Sequence, residues 1–324
     1  MPEAGIIVVA DGAVEDCRVI AHTCQARVLE IGGPRGPAVA RNRGASRADA
    51  DLLVFVDADV VVAPDAIQGM CDLLDTSPDV SAVFGAYDLA PSERNFMSQF
   101  KNLSHAYVHE TGRPDAQTFW AGLGAIRAPV FRMVGGFDER FRRPSIEDID
   151  LGYRIVAAGG HIRLDPRFRG THLKRWTLRS CIATDLRARG IPWTQLLLRR
   201  ESVPDDLNTR HELRLSVVAA CAALASLLLL AVTPWGAAGV VLAVGTLVAL
   251  NLDYYRWFTR HRGPVFAARV VAVHLIHHLC NALSILIGTT LHLAGRAGLR
   301  LPGALPSSAW KPDTSVDAHA GARG

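Results

Sequence analysis

The sequence predicts an α/β domain followed by transmembrane helices, and three observations lead to this prediction. Strand-like runs alternate with helix-length segments over residues 1–200, which is typical of a sheet covered by helices. One run, Leu52–Val56, is continuously apolar and leads directly into the carboxylates Asp57 and Asp59. Residues 215–252 contain no charged side chain, which is uncommon in a soluble domain.

The alternation can be followed in order along the chain. Short apolar runs predict parallel strands at Ile6–Val9, Arg27–Ile31, Leu52–Val56, Val80–Tyr87 and His161–Asp165. Segments with helical spacing or capping signals predict helices at Val14–His22, Ala38–Ala48, Pro64–Leu74, Asn95–Glu110, Pro129–Val134, Ile146–Ala158 and Trp176–Arg189. The last of these helices is basic, and we expect it to lie against a membrane surface.

The apolar stretches 215–232 and 236–252 flank the turn signal Thr233–Gly236, and each is close to the roughly 20 residues that a bilayer requires. They predict a transmembrane helical hairpin, with a very apolar helical core as the alternative. A third segment, 270–294, contains histidines and one cysteine as its only ionisable residues. The predicted units are therefore a domain at 1–200, a membrane domain at 201–300 and a disordered tail at 301–324, which is rich in Pro, Ser, Gly and Ala.

The third membrane segment carries His274, His277 and His278 on one helical face. Ionisable groups at such a depth are functional candidates, and a metal site is one interpretation. We favour histidines that pack or that face lipid headgroups.

The net charge of +4 is not typical of a nucleic-acid-binding protein, and we expect no nucleic-acid partner. Basic residues concentrate at 163–214 and 256–269, on either side of the predicted hairpin. The positive-inside bias then places the N-terminal domain in the cytoplasm, on the inner face of the cell membrane. Arg296 and Arg300 follow the third segment and conflict with three full spans, which leaves a re-entrant or interfacial segment open.

The carboxylates that follow Leu52–Val56 indicate a metal or nucleotide site. In an extended backbone the spacing of Asp57 and Asp59 puts both side chains on one side. Two hard oxygen donors suit Mg²⁺ or Mn²⁺ that keeps phosphate and water ligands. The alternative is a pair of polar residues that close a strand and lead into the next helix.

Further motifs accompany this pair, in the order Ala10-Asp11-Gly12, Asp57-Ala58-Asp59, Val134–Glu139, Glu147–Arg154 and His172–Trp176. In this order and spacing they resemble the inverting family 2 glycosyltransferases with the GT-A fold, over about residues 5–200. The resemblance implies a nucleotide-sugar-binding domain with a Rossmann-like mixed sheet. The C-terminal helices are similar to those of membrane-anchored members.

The resemblance also implies roles at the donor site. Asp59 would hold the metal, and Asp57 would contact the ribose or the water shell of the metal. Asp11 matches a base-contacting aspartate, although an Asp-Gly turn accounts for it equally well. Arg35 would reach the nucleotide or a phosphate, or remain a solvated loop arginine. For Asn42 we expect only local capping or packing.

Asp148 matches the family's catalytic base, at a helix start where amide N–H groups would stabilise its ionised form. Glu147 and Asp150 would complement the helix dipole. Direct displacement by an acceptor hydroxyl from the face opposite the leaving group would invert the anomeric carbon.

His172 matches a position that contacts the metal or diphosphate. Arg175 and Trp176 resemble the pair that grips diphosphate and acceptor in processive synthases, with an interfacial basic–aromatic helix start as the alternative. Because His172 replaces the glutamine usual in that motif, we do not expect processive polymer synthesis. Gly136 would let the backbone approach the sugar.

These inferences predict a membrane-bound inverting glycosyltransferase that uses Mg²⁺ or Mn²⁺ and moves a sugar from a nucleotide-sugar donor to a lipid or other membrane-associated acceptor. Two alternatives remain open, a polyprenyl-phosphate glycosyl synthase and an inactive truncated homologue that acts as a membrane partner. The second arises because the family's first strand is missing and Ile6–Val9 corresponds to its second strand. A mis-assigned start is our hypothesis for this difference.

Overall fold

The computed structural model of the chain describes residues 5–12, 15–200, 204, 206–299 and 301–305. The strands are β1 (Ile7–Ala10), β2 (Arg27–Glu30), β3 (Leu52–Val56), β4 (Val60–Val62), β5 (Val80–Tyr87), β6 (Asp115–Ala116), β7 (Leu123–Arg127) and β8 (His161–His172). Most of the predicted tail, 306–324, lies outside the described residues.

The helices follow the predicted segments closely in the first half of the chain. Those of the N-terminal domain are α1 (Glu15–Thr23), α2 (Pro37–Ala45), α3 (Ala66–Thr76), α4 (Phe96–Glu110), α5 (Ala128–Met133), α6 (Glu147–Ala157), α7 (Leu178–Ala183), a π-helix (Thr184–Gly190) and α8 (Ile191–Leu197). A short 3₁₀ turn (Leu207–Thr209) precedes α9 (His211–Leu229), α10 (Trp235–Leu250), α11 (Leu252–Arg262) and α12 (Pro264–Arg296).

Six of the strands form one mixed sheet in the order β3–β7–β5–β8–β4, and β6 pairs with β8. Within this sheet β5 and β8 are parallel, whereas β7 runs antiparallel to both β3 and β5. The prediction of a mixed sheet is therefore confirmed, and the all-parallel arrangement suggested by the alternation is wrong. β1 and β2 form a separate parallel pair.

The core of the sheet domain lies around β5, in which every residue is buried. Helices α3 and α4 both pack against this strand. The largest fully buried side chains near it are aromatic or long aliphatic, namely Phe84, Phe119, Phe137, Met70, Leu74 and Leu123. Burial of such side chains is the main favourable term that holds the strand ends in place.

The helices α9 and α12 are long and apolar enough to cross a membrane, by length and composition alone. Helices α10 and α11 would count as a third span only as a pair, and they are bent by 73° at the break between them. The prediction of transmembrane helices after the sheet domain is supported in this form. Within α12, His274 bonds to the Tyr255 hydroxyl at 2.9 Å and His278 is buried, as expected for packed histidines.

Helix α11 docks the membrane helices onto the sheet domain through α4. Phe100 and Leu103 of α4 share an apolar cluster with Tyr254 and Phe258 of α11. Arg262, at the end of α11, donates to the Gln99 side chain at 3.0 Å. The bend after α10 thus allows the aromatic helix α11 to cover α4.

Candidate active site

The turn after β3 holds the first two candidate residues. Ala58 and Asp59 form a turn in which the Val60 N–H donates to the Asp57 carbonyl at 3.0 Å. The Asp57 N–H donates to the carbonyl of Gly122, just before β7, at 3.1 Å. The expectation of an extended backbone across this motif is wrong, because the chain turns here to enter β4. The two carboxylates consequently have different partners.

Asp57 is bound by an arginine that the motif analysis did not select. Arg41 of α2 donates to Asp57 Oδ1 at 2.6 Å and to Glu147 Oε1 at 2.9 Å. Burial lowers the pKa of Arg41, but the nearby carboxylates outweigh it and the pKa is raised. Glu147 also accepts the Ser145 N–H at 2.9 Å. Glu147 is therefore an ion-pair partner as well as an acid at a helix start, and Arg41 ties α2 to both motifs.

Asp59 faces His172, the last residue of β8. The distance from Asp59 Oδ2 to His172 Nε2 is 3.5 Å. This hydrogen bond lowers the pKa of Asp59 in spite of burial, and the charge of Lys174 acts in the same direction. The ring of Tyr87 stacks on the imidazole of His172, with 4.4 Å between the ring centroids, and this contact fixes the plane of the imidazole.

The Asp59–His172 pair supplies one carboxylate oxygen and one imidazole nitrogen. Within the described part of the chain no group of three His, Cys, Asp or Glu side chains is arranged to hold a metal ion. The pair therefore fits a metal such as Mn²⁺ or Mg²⁺ whose other ligands come from a phosphate and water. The described histidines of α12 likewise belong to no such group.

Asp148 lies in the first turn of α6. Its Oδ1 accepts the Ile149 N–H at 2.8 Å, and its Oδ2 accepts the Ala121 N–H at 3.4 Å. Burial and the carboxylate of Glu147 raise the pKa of Asp148 to about 6, although the charge of Arg41 opposes this. The expected effect of the helix amides is therefore outweighed by desolvation. A carboxyl of this pKa is mostly ionised at pH 7 and still able to accept a proton.

The three aspartates face one shared region around the buried ring of Tyr87. Burial raises the pKa of Tyr87, and Asp57, Asp59 and Asp148 each raise it further by their charge. Residues from the β3 turn, the start of α6 and the end of β8 thus meet beyond one edge of the sheet. Such an edge is where ligands bind in α/β folds.

Asp11 directly follows β1, and Arg35 lies on the loop that precedes α2. The Asp11 carboxylate accepts the N–H groups of Arg35 at 2.6 Å and Gly36 at 2.7 Å, so that it fixes this loop against the end of β1. The Arg35 side chain is exposed, which agrees with the solvated alternative. Neither residue touches the three aspartates through a described contact.

Asn42 does more than the local capping expected of it. Its amide exchanges hydrogen bonds with the backbone of Phe137, through Nδ2 at 2.8 Å and Oδ1 at 2.8 Å. Gly136 has a φ of +65°, and a Cβ there would lie 2.7 Å from Asn42 Oδ1. The close approach that Gly136 permits is therefore to Asn42, which joins α2 to the loop before α6.

The last two candidates, Arg175 and Trp176, follow β8 and differ in their exposure to solvent. Arg175 is 72% exposed in its side chain and lies 3.9 Å from Glu93. Trp176 is buried, and the amines of Lys174 and Lys101 lie 4.5 Å and 5.9 Å from its ring centroid. Trp176 thus sits under a basic patch at the rim of the site, whereas Arg175 points to solvent.

The fold and the site together define a GT-A domain, the class that binds nucleotide-sugars. The chain belongs to the family described as Glycosyltransferase like family 2, whose model matches residues 1–179. The solved mannosyltransferase PcManGT from Pyrobaculum calidifontis, in complex with GDP-Man and Mn²⁺, has the same fold. It is 18% identical with a TM-score of 0.52, and the match covers 87% of this chain and 77% of that one.

Two curated relatives named pre-mycofactocin glycosyltransferase, from two strains of Mycobacterium tuberculosis, are each 32% identical over 190 residues. The match covers 55% of this chain and 39% of each relative. The chain therefore spans less than half the length of the curated relatives it matches.

Proposed function

We propose that the protein is a membrane-anchored inverting glycosyltransferase that moves one sugar from a nucleotide-sugar to a membrane-associated acceptor. The observation that carries this proposal is that the adjacent residues Ala121 and Gly122 bond through their backbone to Asp148 and Asp57, and Asp59 lies in the turn that begins at Asp57. Membership of the family and the name of the curated relatives agree with sugar transfer. Because PcManGT binds GDP-Man with Mn²⁺, we propose a donor of the same class and a divalent ion, Mg²⁺ or Mn²⁺.

On the donor side, Asp59 and His172 would hold the metal ion. The bound ion would supply positive charge that stabilises the departing diphosphate. Asp57 would face the ribose, with Arg41 holding its carboxylate in one orientation by the 2.6 Å ion pair. Lys174, whose charge acts on Asp59, adds positive charge on the same side.

On the acceptor side, Asp148 would act as the general base. As the acceptor oxygen forms its bond to the anomeric carbon, the bond from that carbon to the diphosphate oxygen breaks. The hydroxyl proton passes to Asp148, and the nucleoside diphosphate leaves with the electron pair of the broken bond. Attack from the face opposite the diphosphate inverts the anomeric centre.

The membrane helices bring the acceptor to the site in this proposal. Helices α9 and α12 are apolar enough to span a bilayer, and α11 joins them to α4 of the sheet domain. Arg256 and Arg260 of α11, together with other basic residues near the helices, favour a cytoplasmic position for the sheet domain. A lipid or other acceptor in the inner leaflet of the cell membrane would then lie within reach.

The substitution Asp148→Asn tests the proposal. We expect nucleoside diphosphate release from UDP- and GDP-sugars, assayed with native membranes as the source of acceptor, to fall by about 10³-fold, since a general base contributes 10²–10⁴-fold. Binding of the nucleoside diphosphate with Mn²⁺ should stay within about twofold, because Asp148 is not on the donor side. The exposed Asp115→Asn on β6 is the matched control. Retained turnover in Asp148→Asn would refute the assignment.

A further inference from the structure

Arg189, in the π-helix after α7, is a partly buried cation to which the described residues offer no ion-pair or hydrogen-bond partner. Within the described part of the chain no carboxylate lies within 4.0 Å of its guanidinium, and it makes no hydrogen bond. Arg41, which is also partly buried, is by contrast paired with Asp57. Because a partly buried charge without a partner is unfavourable, the position suggests a partner that comes from outside the chain.

The guanidinium of Arg189 lies close enough to the candidate base for its charge to act there. The carbonyl of the preceding residue, Ala188, accepts the Ser145 hydroxyl at 2.6 Å, and this serine is three residues before Asp148. The charge of Arg189 opposes the effect of burial on the pKa of Asp148 and on that of Tyr87. The amine that acts on Asp59 is instead Lys174. The backbone contact of Ala188 and the direction of this charge thus place Arg189 next to the segment that carries the candidate base.

The π-helix is held firmly on both of its sides. Its buried Asp185 forms an ion pair with Lys101 of α4 and a hydrogen bond with His277 of α12, whose Nδ1 lies 2.9 Å from Asp185 Oδ2. Burial raises the pKa of Asp185, but the two partners outweigh this and lower it. At Gly190 a Cβ would lie 2.2 Å from the Ser284 hydroxyl, so only glycine allows α12 to come so near. Single-turn π-helical segments of this kind are frequent at functional sites.

We propose that Arg189 binds an anionic group, a phosphate or a group of similar charge, that the acceptor carries near its attacking oxygen. This inference rests on the proposed function and adds the chemical class of the acceptor. A guanidinium suits the role because its planar fork donates two parallel hydrogen bonds to phosphate oxygens. The acceptor side is favoured over the donor diphosphate because the backbone beside Arg189 contacts the segment before Asp148 and because its helix packs on the long apolar helix α12.

The test compares Arg189→Ala with Arg187→Ala, which removes an exposed arginine from the same π-helix. The full chain in dodecyl maltoside is titrated with dodecyl phosphate, with dodecanol as the neutral probe. A second arm titrates GDP or UDP with Mn²⁺. We expect Arg189→Ala to weaken binding of dodecyl phosphate about tenfold or more and to leave dodecanol and both nucleotides within about twofold. Arg189→Lys should recover part of the loss, and Arg187→Ala should resemble the native chain.

Four other results would contradict either this inference or the proposed function. Equal weakening by Arg187→Ala would indicate non-specific attraction to surface charge. Weaker binding of GDP or UDP by Arg189→Ala would assign the cation to the donor diphosphate. Unchanged binding of dodecyl phosphate would mean that Arg189 binds no acceptor anion. If the native chain bound neither nucleotide, the proposed function would fail, and the dodecyl phosphate arm would still decide the role of Arg189.

Discussion

The proposed donor and acceptor sides of the site hold their carboxylates in different ways. Asp57 is paired with Arg41, and Asp59 is bonded to His172, so that the pKa of Asp59 is lowered. Asp148 accepts only backbone N–H groups among the described residues, and its pKa is raised to about 6. Asp59 is thus kept ionised, whereas Asp148 is able to take up a proton near neutral pH. Environments that separate the pKa values of neighbouring carboxyls commonly distinguish their roles.

The largest effect that we predict for this comparison is on nucleotide binding by the proposed donor side. Asp59→Asn should weaken binding of GDP or UDP in the presence of Mn²⁺ by about 100-fold, because a metal contact to diphosphate is worth several kcal/mol. The variant should also lose sensitivity to EDTA, which isothermal titration with and without the chelator would measure. Asp51→Asn, an exposed aspartate before the other end of β3, is the matched control. Binding that keeps its full Mn²⁺ dependence in Asp59→Asn would remove the donor-side assignment.

A second effect, smaller than the first, concerns the pH dependence of the acceptor side. Because the pKa of Asp148 is raised to about 6, the base is ionised above that pH and becomes protonated below it. We expect kcat/KM to be level near neutral pH and to fall about tenfold per pH unit below 6. The pKa of Asp59 is lowered, so this carboxylate should stay ionised throughout this range. A profile that remained level down to pH 4.5 would contradict the assignment of Asp148 as the base.

Much of the fold could be predicted because its signals are local. The apolar run of β3, the uniformly apolar β5 and the capped helix α4 each show in the residue pattern itself. The pairing of β7 between β3 and β5 depends on contacts between residues that are distant in sequence. No local pattern of apolar residues predicts such a pairing. Strand β4 was missed because its three residues follow the Asp57–Asp59 turn with no interruption that marks a new element.

In the site, the motif residues could be selected from sequence, but their partners could not. Arg41 lies 16 residues from Asp57 and 106 from Glu147, and only the folded chain brings them together. The raised pKa of Asp148 follows from burial, which the helix-start pattern does not reveal. The π-helix that carries Arg189 was predicted as part of a regular basic helix, because a π-helical turn has no clear sequence signal. Its fixed position depends on His277, which is 92 residues from Asp185.

The smallest effect that we predict concerns Arg41. Its guanidinium contacts Asp57 on the proposed donor side and Glu147, which precedes Asp148, on the proposed acceptor side. Its charge lowers the pKa of Asp148, so Arg41→Gln should raise that pKa and move the acidic limb of the kcat/KM profile to higher pH. Activity should then fall severalfold at pH 6 and much less at pH 8, where the base is ionised in both proteins. Arg43→Gln, an exposed arginine of the same helix, controls for the general loss of positive charge. A limb that stayed at its native pH or moved to lower pH would contradict this effect of Arg41 on Asp148.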